Sequence, residues 1–437
     1  MMRDFYAENL AQVNQTNSVT TAHDIFNEKG VMVVSSGTLL TSQTAQRIAK
    51  HKLALPLEHA IQLDRSCNVE QDILLLPEHP EVQKLLENGV GLGLFQAAAK
   101  QLNYYPLLKQ KLTVLKQQYP KIYKKSVMGA YIALLLGQEQ TIPSETLRLI
   151  FLAAIARDLG VLHIDPNIVN KQGVLTNEEK KQLEGHVAIG YHFLKLLPGL
   201  PPRVARAVLE HHERTDGFGY PKYKAQNELC REGQIVAFAD SFIGIFYKYV
   251  FGLRYSVQAI ASILQINAGI HDQRNTDSAL RLLNKFIQPL QLRHSKHELC
   301  VIRDQITQRM RHLNEWYKRA LQLNNNIQQQ CNNFHTKRTN SLFERINETL
   351  TRSGINDQRY VNWLHSIKED QLTKEDSIEI EQYALMLNEG SWQLNHLNMA
   401  LSMTIQTLEI NKKEFAEDLA MFEVLETLVK HFNEDLL

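Results

Sequence analysis

The sequence predicts a mainly α-helical protein with a small α/β lobe at its N-terminal end and a long helical C-terminal region. Strand-like text is confined to one place, Val31-Met32-Val33-Val34-Ser35, which is β-branched and apolar and is followed by the turn signal Ser36-Gly37. From Leu74 onward apolar residues recur instead at helical spacing, with Pro and Gly between the runs. Beyond about Leu292 the text shifts to Asn, Gln, Glu and Lys with sparse Leu, Ile and Met, and no Pro occurs from Ser295 to Leu437.

The elements follow in order. Residues 1–72 form the lobe; within it Thr41 is placed to cap a helix from Ser42 to about His51, because its hydroxyl can accept from an amide of the first turn. Residues 73–107 read as a helical connector. A helical domain spans 108–291, with runs at Leu107–Leu115, Val127–Leu136, Leu147–Leu159, Glu178–Leu197, Pro202–His212 and Gln234–Tyr249. Residues 292–437 read as amphipathic helices or coiled coil at about 298–335, 340–352, 357–370, 374–390 and 391–433. These helices either cover the helical domain or form a dimerisation or partner-docking module; the stripe Ile306, Leu313, Trp316 and Leu323 supports association, so a homodimer and a protein partner docked on these helices are expected.

Composition excludes several classes of function. The chain has 437 residues, and its 48 Lys and Arg against 47 Asp and Glu leave a charge of +1, which gives no electrostatic case for a nucleic acid polymer. With 44% hydrophobic and 22% charged residues it is neither collagen-like nor disordered. Cys67, Cys230, Cys300 and Cys331 form no CxxC pair, so they read as reduced thiols. The apolar stretch Leu147–Leu162 is cut by Arg157 and Asp158, and Met1–Asn17 is too polar for a signal peptide. A cytoplasmic protein without a membrane span is expected.

Chemistry concentrates between Arg157 and Asp240. Asp158 ends an apolar helix, His186 stands in Gly-His-Val-Ala-Ile-Gly, His211 and His212 are adjacent, and Asp240 closes Val-Ala-Phe-Ala-Asp. Burying imidazoles and carboxylates on apolar helices costs several kcal/mol per unpaired charge, unless they pair or bind a metal. Adjacent helical residues project about 100° apart, so His211 and His212 can address one metal from two sides or two neighbouring metals. A lone histidine would not carry this reading; the grouping does.

The text His211-His212-Glu213-Arg214-Thr215-Asp216-Gly217-Phe218-Gly219-Tyr220-Pro221 resembles the signature of the HD-GYP family, metal-dependent cyclic di-GMP phosphodiesterases of the HD superfamily. The likeness extends through Arg157-Asp158-Leu159-Gly160, Gly173-Val174-Leu175-Thr176, Gly185-His186 and Ala239-Asp240, and more weakly to Asp24–Leu40. It implies an HD-superfamily helical bundle over 108–291. It also implies a metal cluster on Asp158, His186, His211, His212 and Asp240, with Asp158 as the bridging and catalytic carboxylate. Arg214, Asp216, Gly217, Gly219, Tyr220 and Pro221 are then the substrate loop.

The departures share a sign. Where the family has the first residue of its HD pair stands Arg157; the upstream histidine position is Lys125, and one turn earlier stands Lys121. Val161 replaces the lysine that closes the motif, and Tyr249 stands where a phosphate-binding arginine is expected, leaving Lys248, Arg254 and Arg214 as nearby cations. Protonated Arg and Lys offer no lone pair, so they cannot ligate a metal, but they can stand in for one beside Asp158 and Asp240. One metal position is therefore expected to be lost, with Arg157 and Lys125 as replacing cations. The other keeps Asp158, His186, His211 and His212 for one Fe, Mn or Zn ion. For Lys125 a plain solvated basic helix face, shared with Lys121 and Lys124, stays open.

The function so implied is a cyclic di-GMP signalling protein that binds this or a related nucleotide, with weak or no hydrolysis. The alternatives are a non-catalytic interaction scaffold and a single-metal phosphohydrolase acting on another phosphodiester. Gly89-Val90-Gly91-Leu92-Gly93 follows no strand and lacks Lys-Ser/Thr, so it is not a phosphate loop. His163 and His192 receive no role.

Overall fold

The computed structural model describes residues 4–76, 90–252, 255–285, 292–330, 334–352, 354 and 357–407. Two compact units are present: one comprises 1–214 with 218–244, the other 215–217 with 245–437.

In the first unit, helix α1 (Tyr6–Val13) precedes two small antiparallel sheets. Strands β1 (Val19–Thr21) and β4 (Ile61–Leu63) pair with Val19 opposite Leu63, and β2 (Ile25–Phe26) pairs with β3 (Met32–Val34). The expected strand at Val31–Ser35 is thus β3. The other three are two or three residues long, too short to show alternation. Helix α2 (Ser42–Ala49) starts where expected, the Thr41 hydroxyl accepting from the Thr44 amide at 3.2 Å. His163, given no role by sequence, joins the lobe to the helical part. It stacks on Tyr6 with ring centroids 5.0 Å apart, and its two ring nitrogens lie 2.7 Å from Lys111 Nζ and 2.9 Å from Asp4 Oδ1.

The helical part begins with α3 (Val90–Ala99), which takes in Gly91 and Gly93; Gly89 lies outside the described residues. It continues with α4 (Pro106–Gln118), α5 (Pro120–Glu139) and α6 (Ser144–Ala156). Pro106 and Pro120 occupy first helical positions, where a missing amide hydrogen costs nothing and φ is preset. Ala130 and Ala133 of α5 and Ala153, Ala154 and Ala156 of α6 are fully buried, and their small side chains let the two helices approach closely. Helix α6 stops at Ala156, two residues before Asp158, and Leu159–His163 is a 3-10 turn, so the expected run to Leu159 is shorter.

The expected helix Glu178–Leu197 is two helices, α7 (Asn177–Glu184) and α8 (His186–Lys195), separated at Gly185. Thr176 and Glu179 cap α7 reciprocally, which fixes its start. Helix α9 (Pro202–Glu210) ends before the two histidines, so His211 is its C-cap and His212 lies beyond it, a correction to their placement on a helix. The apolar helix α10 (Arg231–Phe246) passes into a π-helical turn, Tyr247–Gly252. By length and composition alone the run Arg231–Gly252 could cross a bilayer, and 56% of its most apolar window is buried within the protein. The stretch that bears on a membrane span is therefore α10, not Leu147–Leu162.

The second unit contains α11 (Ile260–Ile266), α12 (Gln273–Asn284), α13 (Lys296–Gln330), α14 (Phe334–Arg352), α15 (Gln358–Ser366) and α16 (Lys374–Thr407). The expected break at 390 is absent, since Gly390 lies inside continuous α16; the part of that expectation beyond residue 407 lies outside the described residues. The stripe Ile306, Leu313, Trp316 and Leu323 is buried within the chain, each at 6% exposure or less, as α13 packs on α14 and α16. It is core rather than an open association surface, so it gives no support to a dimer.

Candidate metal centre

Five segments of the first unit converge on the site. Asp158 follows α6, His186 opens α8, His211 and His212 follow α9, Asp240 lies on α10, and Ser126 and Gly129 lie on α5. Gly160 permits the approach of the turn after Asp158 to α8: a Cβ there would lie 2.0 Å from the His186 carbonyl oxygen. Any side chain at 160 would push Asp158 and His186 apart.

The three imidazoles form one group. Ring centroids lie 4.1 Å apart for His211 and His212, 5.3 Å for His186 and His211 and 5.2 Å for His186 and His212. One ligand atom from each lies within 4.8 Å of the other two. The tautomers follow from the carbonyls beneath them. His186 Nδ1 is 2.7 Å from the Leu183 oxygen and His211 Nδ1 is 2.6 Å from the Val208 oxygen. A carbonyl only accepts, so each Nδ1 donates, and in the neutral rings each Nε2 carries a lone pair. Those two Nε2 atoms face each other at 3.4 Å. Two lone pairs so placed repel unless a cation lies between or beside them, and imidazoles oriented by backbone carbonyls are the usual support of a metal ligand. A proton on His211 itself is disfavoured, since burial, and then His186, push that ring down to about 3.

The opposite side of the cluster holds a cation of its own. Arg157 is 1% exposed, and its Nε lies 2.9 Å from Asp240 Oδ1 and 3.2 Å from Asp158 Oδ2. Its Nη1 donates to the Ala154 carbonyl at 2.9 Å and its Nη2 to the Lys125 carbonyl at 3.2 Å. Burial works against the charge, but Asp158 and Asp240 outweigh it and hold the guanidinium protonated more firmly than usual. Each carboxylate then has a second oxygen on the histidine side. Asp158 Oδ1 is 3.9 Å from His186 Nε2, and Asp240 Oδ2 is 3.9 Å from His212 Nδ1. Burial would raise Asp240, yet Arg157, and after it His212 and His211, carry it well below the ordinary carboxylate range. Among the described residues, the donor set left for a metal is three imidazoles and the near oxygens of two carboxylates already half satisfied by Arg157. That set fits one divalent ion of the Fe, Mn or Zn type.

Several of these neighbours are not legible as site residues in the sequence. Gly129 makes the hole for the guanidinium: a Cβ there would lie 2.7 Å from Arg157 Nη1. Ser126 Oγ donates to Asp158 Oδ2 at 3.3 Å. A glycine and a serine inside an apolar helical run are the available sequence signal. Lys125, expected as a replacing cation, provides its backbone carbonyl to Arg157.

The signature loop is built on Glu213, which the sequence presents only as motif text. Its carboxylate accepts from the backbone amides of Lys222 at 2.6 Å and Lys224 at 2.9 Å. Gly219 is required, because a Cβ would meet backbone atoms of residues 212–214 at 2.4 Å. Tyr220 then folds back: its amide donates to the His212 carbonyl at 3.0 Å, and its ring stacks on His212 at 4.7 Å. Of the other loop residues, Asp216 pairs with Arg345 at 2.8 Å and its side chain is 3% exposed, so its carboxylate is engaged within the second unit. Val161 and Tyr249 are buried core residues, the Tyr249 hydroxyl donating to Glu389 at 3.3 Å. Arg254 lies outside the described residues.

Residues 109–274 match the HD domain family. The cyclic di-GMP phosphodiesterase response regulator RpfG of Xanthomonas campestris is 31% identical over 157 residues, covering 35% of this chain and 41% of that protein. A cyclic di-GMP phosphodiesterase of Thermotoga maritima is 40% identical over 91 residues, 21% of this chain and 25% of that one. The 3'3'-cGAMP-specific phosphodiesterase 1 of Vibrio cholerae is 24% identical over 155 residues, 35% and 36% of the two chains. The chain thus spans at most 41% of the length of these curated relatives. The motif that runs from Arg157-Asp158 through His211–Pro221 to Asp240 falls inside the matched segment, so residues 109–274 carry an HD domain similar in sequence to the corresponding segments of cyclic di-GMP phosphodiesterases.

Proposed function

We propose that this protein is a cytoplasmic cyclic-dinucleotide signalling protein that holds one divalent metal and binds cyclic di-GMP or a related nucleotide with little or no hydrolysis. The observation that carries this reading is the guanidinium of Arg157 lying between Asp158 and Asp240 while His186 and His211 turn lone pairs toward each other on the other side. His186, His211, His212 and the near oxygen of Asp158 would hold the metal. When bound, it would supply a Lewis acid for a phosphate oxygen and lower the pKa of a coordinated water. Arg157 provides a fixed positive charge in place of a second ion, but it cannot bind or activate water. In-line opening of a phosphodiester relies on charge stabilisation at both the attacking and the leaving oxygen. A site with one ion is therefore better suited to binding than to turnover. Val161 and Tyr249, in the core, remove two of the basic contacts that a phosphate would use. Under this reading residues 1–72 and 73–107 precede the binding domain 108–291 as an input region, and 292–437 receive or transmit its state.

Calorimetry with Mn(II)-loaded or anaerobically Fe(II)-loaded protein tests it. Cyclic di-GMP should bind and the affinity should fall in Asp158→Ala, while product formation stays near the background of that variant. A flat titration at high micromolar nucleotide would contradict nucleotide binding and favour a scaffold. Turnover well above background would instead make the protein an enzyme despite Arg157.

A further inference from the structure

The signature loop is closed at one end, where the Tyr220 amide donates to the His212 carbonyl at 3.0 Å. Its middle residues, Thr215–Gly217, belong to the second compact unit. There the Thr215 amide donates to the Ile270 carbonyl at 3.1 Å and its hydroxyl to the Gly269 carbonyl at 3.2 Å. Asp216 Oδ2 pairs with Arg345 Nη2 at 2.8 Å, with side-chain exposures of 3% and 14%. Gly217 follows with φ of +76°, a conformation that favours glycine and turns the chain back. Arg345 lies on α14, outside the segment that matches the HD domain family. Its path to the loop is cleared by Gly269, where a Cβ would lie 3.0 Å from Arg345 Cγ.

We infer that Arg345 is a positioning residue for the signature loop: by pinning Asp216 from α14 it fixes the segment from His212 to Tyr220 and so the stacking of Tyr220 on His212. The charge pair is nearly dry, and a buried pair that loses one member leaves an uncompensated charge, which favours local opening. Opening of Thr215–Gly217 frees the two ends of the loop. One end is His212 and the other is Tyr220, stacked on it, so a residue beyond the HD match bears on a histidine of the cluster without touching it. The consequence for metal affinity rests on the function proposed above; the loop-pinning itself does not.

Hydrogen exchange on the full chain separates the two. In Asp216→Asn and in Arg345→Ala, the amides of Tyr220, Lys222 and Lys224 should exchange roughly tenfold faster or more. Exchange in the buried helix Ser144–Ala156 should stay at its wild-type rate. Arg345→Lys, which keeps the charge but not the planar fork, should restore part of the protection. In the same variants Mn(II) affinity should weaken in the order of their exchange rates. Unchanged exchange at all three amides in both Asp216→Asn and Arg345→Ala would overturn the inference, as would equal acceleration in Ser144–Ala156, which marks general destabilisation. If wild-type protein takes up no Mn(II), the metal reading fails, while the exchange result still decides the role of Arg345.

Discussion

On one side of Asp158 and Asp240 lies a guanidinium; on the other lie three imidazoles. Both carboxylates divide their oxygens between these sides, yet the sides meet the need for positive charge in opposite ways. The Arg157 side carries its cation in the chain, desolvated and tied to the Ala154 and Lys125 carbonyls. The histidine side has only lone pairs, with His186 and His211 locked by carbonyls into the tautomer that presents them. The first side is complete as folded. The second offers donors that a divalent ion could use, and that asymmetry is the basis for the proposal of one metal rather than two.

Breaking the built-in side should have the largest effect. Arg157→Ala leaves two carboxylates close together without their cation, and removal of one member of a buried pair typically costs about 3–5 kcal/mol. Urea unfolding should show a loss of that order, and a loss below about 1 kcal/mol would mean that the pair is not what holds the carboxylates. Breaking the open side should spare stability and remove metal. In His211→Ala, Mn(II) or Zn(II) affinity should fall by at least about a hundredfold, more than loss of a supporting group gives, as read by competition with a chelator.

A finer probe is Gly129→Ala, which sets a methyl group 2.7 Å from the Arg157 guanidinium. Overpacking of this kind costs about 1–3 kcal/mol, and it should not alter the number of metal ions bound. A separate probe is the pH dependence of the metal-free protein. His211, ordinarily near 6.5, is pushed to about 3 by burial and then by His186. The unfolded chain therefore takes a proton that the folded ring refuses, and stability should fall as pH drops from about 6.5 toward 3. The slope expected for one proton is about 1.4 kcal/mol per pH unit. Bound metal should steepen the fall, because protons compete for the same nitrogens.

Much of this arrangement is legible in the sequence because its members are chemically conspicuous. Imidazoles and carboxylates interrupt apolar text at Asp158, His186, His211, His212 and Asp240, and Arg157 is a residue that offers no lone pair to a metal. Less legible is whatever acts by shape. Gly129 and Gly160 matter through the Cβ they lack, and a single sequence shows only that glycine is there, not what approaches it. Lys125 draws attention by its ammonium, but the contact it gives Arg157 comes from its carbonyl, which every residue type possesses. Short strands β1, β2 and β4 carry too few residues for periodicity to declare them. The stripe Ile306, Leu313, Trp316 and Leu323 is readable as apolar and helical, but periodicity cannot say whether its partner is another helix of the same chain or a second chain; here it is the former.

The central claim is one exchangeable cation on the three histidines and one permanent cation at Arg157. Metal analysis of protein reconstituted with Mn(II) and freed of excess ion tests it directly, with His211→Ala as the control. The account predicts one ion per chain in the wild-type protein and none in the variant. Two ions per chain would mean that Arg157 does not fill the second position, and none would mean that the facing imidazoles do not hold a metal.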